Sequence, residues 1–344
     1  MDVIEPAAVS RAWADLADAA YEPIATGLIN RSWAIEGGRL GVLQWLNTAI
    51  FDPKVHEDIE AITSLLAERG LATPRLVRTR AGELWHTDPQ GGVWRRFTWI
   101  GDRTIEKLRD PEDARSAGGL VARFHAAVAG CDWTFRAKLR AFHDTRAKMA
   151  ALEAAVEAHR AHRLYDRVAP LADAIRAQWA AWDGPVGLPS RVVHGDLKIS
   201  NVRFEGPRAV ALIDLDTLGR GTLDAELGDA LRSWCNPATE DDPQPRFDLD
   251  LFAAAIDGYA ANGREGLAAD EWRGIVPGVE RITLELAARF AADALEERYF
   301  GWDRRYGTAG DHNLARAIGQ AGLARAVASS RSASEAIVER ARVG

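Results

Sequence analysis

The chain is poor in cysteine. Its 344 residues hold two, Cys131 and Cys235, far apart and with no CxxC pair. That excludes a disulfide framework and a cysteine-based zinc or redox motif, and it suits small buried hydrophobes in a reducing compartment. No apolar run is long enough to cross a bilayer, and the opening residues, MDVIEPAAVS, are acidic without an apolar signal core. No membrane association is therefore expected, and the location expected is cytoplasmic. Basic charge is not in excess either: 43 Lys and Arg stand against 50 Asp and Glu, a net charge of −7. With no basic patch or arm, nucleic acid is disfavoured as a partner. Internal repeats are absent. A hydrophobic fraction of 47% is ample for a core, and the length allows one large domain or two lobes.

The chemistry concentrates in Arg191–Leu218, RVVHGDLKISNVRFEGPRAVALIDLDTL. Two β-branched or apolar runs, Val192–Val193 and Ala209–Leu215, read as short buried strands with a tight loop between them. Each run delivers an acid, Asp196 after the first and Asp214 at the end of the second, with Lys198 and Asn201 between. A kinase catalytic loop needs this spacing: an Asp for the acceptor hydroxyl, an Asn five residues later turned toward a metal, and a second acid from the next hairpin. Lys198 is placed to meet phosphate charge. Loop Asp and Asn often only form turns, but an ordered set of six (His194, Gly195, Asp196, Lys198, Asn201, Asp214) on one strand–loop–strand frame is far more specific.

Upstream, Ser10–Ala20 reads as a helix, and Tyr21–Ala25, Arg31–Ile35 and Leu40–Leu46 read as strands. A helix over Lys54–Arg69 follows, opened by Asp52-Pro53 and closed by Gly70, and then strands at Arg75–Thr79 and Val93–Thr98. This is the order of a kinase small lobe, with 99–103 as a hinge. Two things are missing from it. The first loop holds one glycine, Gly27, rather than a glycine-rich triplet, although its amides still suit a phosphate. The third strand, VLQWLN, has no lysine for the α- and β-phosphates, and Gln44 stands there instead. Helices are expected over Pro111–Ala129, Thr145–His162, Pro170–Trp182, Leu223–Ser233, Leu249–Ala260, Asp270–Phe300 and Asn313–Val327, with a frayed end. His125 suits a satisfied core position, and Glu226 and Asp229 suit either bracing of the catalytic loop through its amides or a solvent face.

The run His-Gly-Asp-x-x-x-x-Asn followed by Ile-Asp resembles the aminoglycoside phosphotransferase group of small-molecule kinases. Gly195 stands where protein kinases usually carry Arg. Further segments, GLINRSW, VLQWLN, AFHDTR, IDLDTL with GDALR, RFAADAL with a later YF, and HNLARA, occur in chain order from about Gly27 to about Ala317. Together they resemble the N-acetylhexosamine 1-kinase branch, in which Gln commonly takes the strand position of the lysine. Leu28 and Trp45 depart from that branch's pattern.

The resemblance and the residues together imply an α+β, two-lobed protein-kinase-like fold. The small nucleotide-covering lobe spans 1–100, and a mainly helical lobe with the catalytic loop and acceptor site spans 101–344. The function implied is ATP- and Mg²⁺-dependent phosphorylation of a small-molecule hydroxyl, with a hexose or N-acetylhexosamine as acceptor and the anomeric oxygen as target. Asp196 and Lys198 are the expected catalytic residues, and Asn201 and Asp214 the metal ligands. Gly27, Asn30, Gln44 and Glu57 are expected at the nucleotide. Asp216, His143, Asp144, Arg289 and Asp293 are carried over to the substrate side, where each also suits a helix-face ion pair or a cap. The alternatives are an aminoglycoside, homoserine or choline-type kinase, or a non-catalytic nucleotide-binding regulator.

Overall fold

The structure, a computed structural model, describes residues 5–24, 29–137, 143–298 and 301–344; Gly27 lies outside them. Strands β1 (Tyr21–Ile24), β2 (Arg31–Ile35) and β3 (Gly41–Leu46) form an antiparallel meander, helix α1 (Val55–Glu68) follows, and β4 (His86–Thr87) and β5 (Val93–Phe97) complete a sheet of order β1-β2-β3-β5-β4. Alternation along each strand gives the sheet two faces. The outer face buries Trp33, Leu43 and Trp94 against Val9, Trp13 and Leu16 of the leading segment. The inner face turns Leu46 and Val93 toward α1, whose Val55, Ile59, Ile62 and Leu66 join the main core. Strand register places Ser32, Gln44 and Arg95 in one row across β2, β3 and β5.

Two local expectations fail for tertiary reasons. Ser10–Ala20 is not a helix: a 3₁₀ turn at Pro6–Ala12 ends where Trp13 and Leu16 turn into the outer sheet face, and Trp13 Nε1 donates to the Val77 carbonyl at 2.8 Å. Arg75–Thr79 contributes a single bridge, Leu76 to Phe97, because the remaining edge of β5 is taken by β4.

The rest is mainly helical. Strand β6 (Arg103–Thr104) joins the hairpin β8 (Val202–Glu205) and β9 (Arg208–Leu212), and β7 (Arg191–Val193) pairs with β10 (Gly219–Gly221). Between and after them come α2 (Pro111–Ala127), α3 (Thr145–Ala158), α4 (Tyr165–Ala180), α5 (Leu223–Trp234), α6 (Leu249–Gly263), α7 (Ala269–Glu296), α8 (Ala309–Ser329) and α9 (Arg331–Val343). Pro170 lies inside α4, whose start is five residues earlier than expected. As the sixth residue of the helix, Pro170 has no N–H to give the carbonyl of Asp166, so α4 forgoes one helical hydrogen bond there. The expected frayed end is helix α9, which buries Val338 and Ala341 and ties Arg331 to Asp183 at 2.8 Å. No described helix is long and apolar enough to cross a membrane. The segment after the sheet is pinned to β8: Arg203 donates to the carbonyls of Ile100 (2.8 Å) and Gly101 (2.9 Å).

His56 on α1 is fully buried and stacked on Trp85, and its Nδ1 donates to the Pro53 carbonyl at 2.6 Å. Burial, then the Arg95 charge, pushes its imidazole down to about 4. The unfolded chain takes up a proton near pH 6.5 that the folded chain refuses, so folding stability falls as pH drops from about 6.5 toward 4. His56→Phe should flatten that part of the curve, by about 3 kcal/mol at pH 4. Urea melts of both proteins at pH 7 and 4.5 check this, and parallel curves would refute it.

Candidate active site

The turn after β7 is built on backbone groups held by α5. His194 N and Gly195 N donate to the two oxygens of Glu226 at 2.7 and 2.9 Å, and Leu197 N donates to Asp229 at 3.0 Å. Trp234 Nε1 donates to the Leu197 carbonyl at 2.7 Å, and the Thr217 hydroxyl to the His194 carbonyl at 2.8 Å. Glu226 and Asp229, one turn apart on a buried helix face, thus brace the loop through its amides. Burial alone would raise the Glu226 carboxyl; the hydrogen bond and charge of His125, with the His194 amide, outweigh it and hold it low. His125 is the satisfied core residue expected, bonded to the Tyr259 hydroxyl at 2.8 Å. His194 accepts from Asp196 N at Nδ1 (3.3 Å), so Nε2 carries the proton and donates to the Ile213 carbonyl at 3.0 Å. Gly195 has φ +84°, and a Cβ there would lie 2.6 Å from the Thr217 carbonyl oxygen. Only glycine fits this approach.

Asp196, Lys198, Asn201 and Asp214 come together on this frame. Asp196 Oδ2 accepts from Lys198 Nζ at 2.8 Å and from Asn201 Nδ2 at 3.1 Å, and Asn201 Nδ2 also bonds the Asp196 carbonyl at 2.8 Å. The other carboxylate oxygen, Oδ1, accepts nothing from the described residues, and the side chain is 20% exposed. Lys198 Nζ lies 3.7 Å from Asp214 Oδ2, between the two acids. Burial alone would lower its ammonium; the charges of Asp196 and Asp214 outweigh that and keep it protonated. Asp214 adopts a left-handed backbone, φ 64° and ψ 57°, which costs an L-residue about 1–2 kcal/mol. Its side chain is 39% exposed, yet lost hydration on its protein side, and beyond it the neighbouring Asp216 and Asp196 charges, push its carboxyl above the usual range, against the pull of Lys198.

These donors fit a hard divalent cation. Asp214 offers a carboxylate beside other acids, and Asn201 commits Nδ2 to Asp196 while Oδ1 takes no hydrogen bond from the described residues. Among the described residues no group of three or more His, Cys, Asp or Glu side chains is arranged to hold a metal. A cation here would therefore complete its oxygen shell with phosphate and water, as Mg²⁺ commonly does.

Asp216 lies two residues on and faces the small lobe. It is fully buried and paired in bidentate fashion with Arg95, at 2.5 Å to Oδ1 and 2.6 Å to Oδ2, while Asn30 Nδ2 donates to Oδ2 at 2.7 Å. Arg95 also donates from Nε to Gln44 Oε1 at 2.7 Å, and Gln44 Nε2 donates to the Ser32 hydroxyl at 2.8 Å. Arg95 escaped sequence reading; the available signal was an arginine inside a strand of otherwise buried character, in register with the lysine-less position. Removing either partner of such a buried pair alone costs about 3–5 kcal/mol. The Glu57 side chain makes no ion pair or hydrogen bond among the described residues.

Of the other substrate-side candidates, Arg289 and Asp293 lie on α7, and His143 and Asp144 lie just before α3. His143 Nδ1 sits 3.0 Å from Glu285, and Thr145 donates to the other oxygen of Glu285 at 2.6 Å. Burial lowers the His143 imidazole, but the Glu285 bond and the Asp229, Glu285 and Glu226 charges outweigh it and raise it. Arg289 and Asp293 follow one and two turns beyond Glu285. Arg289 lies over the Phe290 ring at 4.8 Å, and burial pushes the Asp293 carboxyl up against the Arg289 charge. Asp144 caps α3 by accepting from Ala147 N at 3.0 Å. Nearby Glu240 is held low, despite burial, by Arg232, Arg316 and Arg289. Arg232 also pairs with Asp229 at 2.7 Å, linking this charged wall to the catalytic loop.

The family described as "Phosphotransferase enzyme family" (APH) matches residues 20–268. The chain belongs to it. A homoserine kinase of Methylobacterium radiotolerans is 30% identical over 200 residues, 57% of each chain. The chain thus aligns with only about half the length of the curated relatives it matches. A microcompartment-associated aminopropanol kinase superposes with a TM-score of 0.61 at 17% identity, covering 95% of this chain and 97% of that one. The amicoumacin kinase hAmiN, in complex with AMP-PNP, Ca²⁺ and Ami, gives 0.58 at 13%, covering 83% and 84%. These likenesses establish the two-lobed kinase-like fold.

Proposed function

We propose that this phosphotransferase moves the terminal phosphoryl group of ATP, held with Mg²⁺, to the hydroxyl of a hexose or N-acetylhexosamine. The observation that carries the reading is the asymmetry of Asp196. Lys198 and Asn201 hold Oδ2 while Oδ1 accepts no hydrogen bond from the described residues. An acceptor hydroxyl bonded to Oδ1 is oriented toward the phosphorus. As its O–P bond forms and the bond to ADP breaks, its proton passes to Asp196. Asn201 and Asp214 would hold the cation, which neutralises phosphate charge. Lys198, held between the two acids, would set its charge against the negative charge spreading onto the equatorial oxygens.

A sugar as acceptor is supported by the ordered segments shared with the N-acetylhexosamine 1-kinase branch. Arg289 and Asp293, both half-buried and one turn apart on α7, add a donor and an acceptor suited to the hydroxyls of a neutral polyol. An amino alcohol is the second reading, favoured by the homoserine and aminopropanol kinases among the similar proteins. A transfer assay with ATP and Mg²⁺ over sugars, amino alcohols and aminoglycosides separates them. The expected product is a sugar 1-phosphate, whose phosphorus signal is split by the anomeric proton. A preferred product that keeps its reducing end would refute the position of transfer, and a preferred amino alcohol would refute the sugar.

A further inference from the structure

In kinases that carry the strand lysine, its ion pair with a helix acid ties the small lobe into the active arrangement. Here the β3 position holds Gln44, and Glu57 of α1 has no ion-pair partner among the described residues. The row Ser32–Gln44–Arg95 nevertheless ends in a cation that crosses to the other lobe. Arg95 is 1% exposed, and its guanidinium donates to both Gln44 and Asp216. Asn30, at the first loop, reaches the same carboxylate and accepts from Asn47 N at 3.0 Å. Loop, strand and row thus converge on Asp216.

Asp216 lies two residues from Asp214, whose left-handed backbone must be imposed by its surroundings. On one side Ile213 is fixed to the catalytic loop, its N donating to the Asn201 carbonyl at 2.9 Å and its carbonyl accepting from His194. On the other side the segment is fixed by the bond between Asp216 and Arg95. We infer that Arg95 is a positioning residue: through Asp216 it holds the Asp214 carboxylate at the phosphate and metal, doing from β5 the lobe-bridging work of the absent lysine. Arg95 touches neither phosphate nor metal in this role. The inference rests on the kinase reading of the site.

A single Arg95→Gln change strands a buried carboxylate, so the informative variant is the neutral pair Arg95→Gln with Asp216→Asn. Arg95→Lys, which keeps the charge and removes the fork, serves if the pair fails to fold. Calorimetry with AMP-PNP, with and without Mg²⁺, should show the Mg²⁺-dependent gain in affinity reduced at least tenfold and metal-free binding changed less than threefold. Hydrogen exchange of nucleotide-free protein should show faster exchange over 213–218. A merely structural pair would leave the Mg²⁺ increment intact. A folded variant with wild-type Mg²⁺ increment and wild-type exchange overturns the inference and leaves the kinase reading standing. Wild-type protein without any Mg²⁺-dependent nucleotide binding overturns both.

Discussion

Asp196→Asn should lower turnover about 10²–10⁴-fold, the usual loss for a positioned base, with folding and nucleotide binding retained. The hydrogen bonds specify why the change is so selective. Lys198 Nζ and Asn201 Nδ2 both donate to Oδ2, so an asparagine must present its carbonyl oxygen to them. Its amide nitrogen then occupies the open Oδ1 position and offers a donor where the acceptor hydroxyl needs a proton acceptor. Lys198 gives up part of its charge pairing but retains the Asp214 carboxylate at 3.7 Å. Single-turnover rates and nucleotide titration of the purified variant check this. Activity within a few-fold of wild type would remove Asp196 from its role.

The catalytic hairpin was legible because its chemistry is local. Asp196, Lys198, Asn201 and Asp214 fall within 19 residues of chain, and short strands on either side leave few ways to arrange them. Glu226 and Asp229 were legible only as a choice between brace and solvent face, since the burial of α5 is decided by α7 packed behind it. Arg95 showed only as an arginine inside a buried strand, with nothing local to give it a role. Its meaning depends on strand register with Gln44 and on a carboxylate 121 residues away, and no local pattern encodes either. The leading segment failed for a related reason: Trp13 and Leu16 at helical spacing are drawn onto a sheet face formed by later strands. Tail composition misled in the opposite direction, because Val338 and Ala341 of α9 suffice to dock an otherwise charged helix.

Asp214→Asn should separate a metal ligand from a structural acid by the sign of its effect on stability. Asparagine tolerates the left-handed backbone at this position, so the change removes charge with little added strain. In the free protein the Asp214 carboxyl is pushed above its unfolded value, first by lost hydration, although its side chain stays 39% exposed, and then by the Asp216 and Asp196 charges. A carboxyl raised in the folded state penalises folding at every pH above its folded value, and the penalty fades as pH falls through it. At pH 7 the nucleotide-free variant should therefore melt at or above the wild-type temperature. The ion pair it gives up is the longer of the two that Lys198 makes, 3.7 Å against 2.8 Å to Asp196. With nucleotide and Mg²⁺ the order reverses. Ligand at 100 times its Kd stabilises the wild type by about 2.7 kcal/mol, and the variant should forfeit most of the Mg²⁺-dependent part. Turnover should fall at least about 10²–10³-fold, the scale of one missing charge-stabilising group. Melting curves of both proteins, free, with ATP and with ATP plus Mg²⁺, supply the measurement. A variant destabilised when free and stabilised by Mg²⁺ and ATP as much as wild type would make Asp214 a structural residue and move the metal elsewhere.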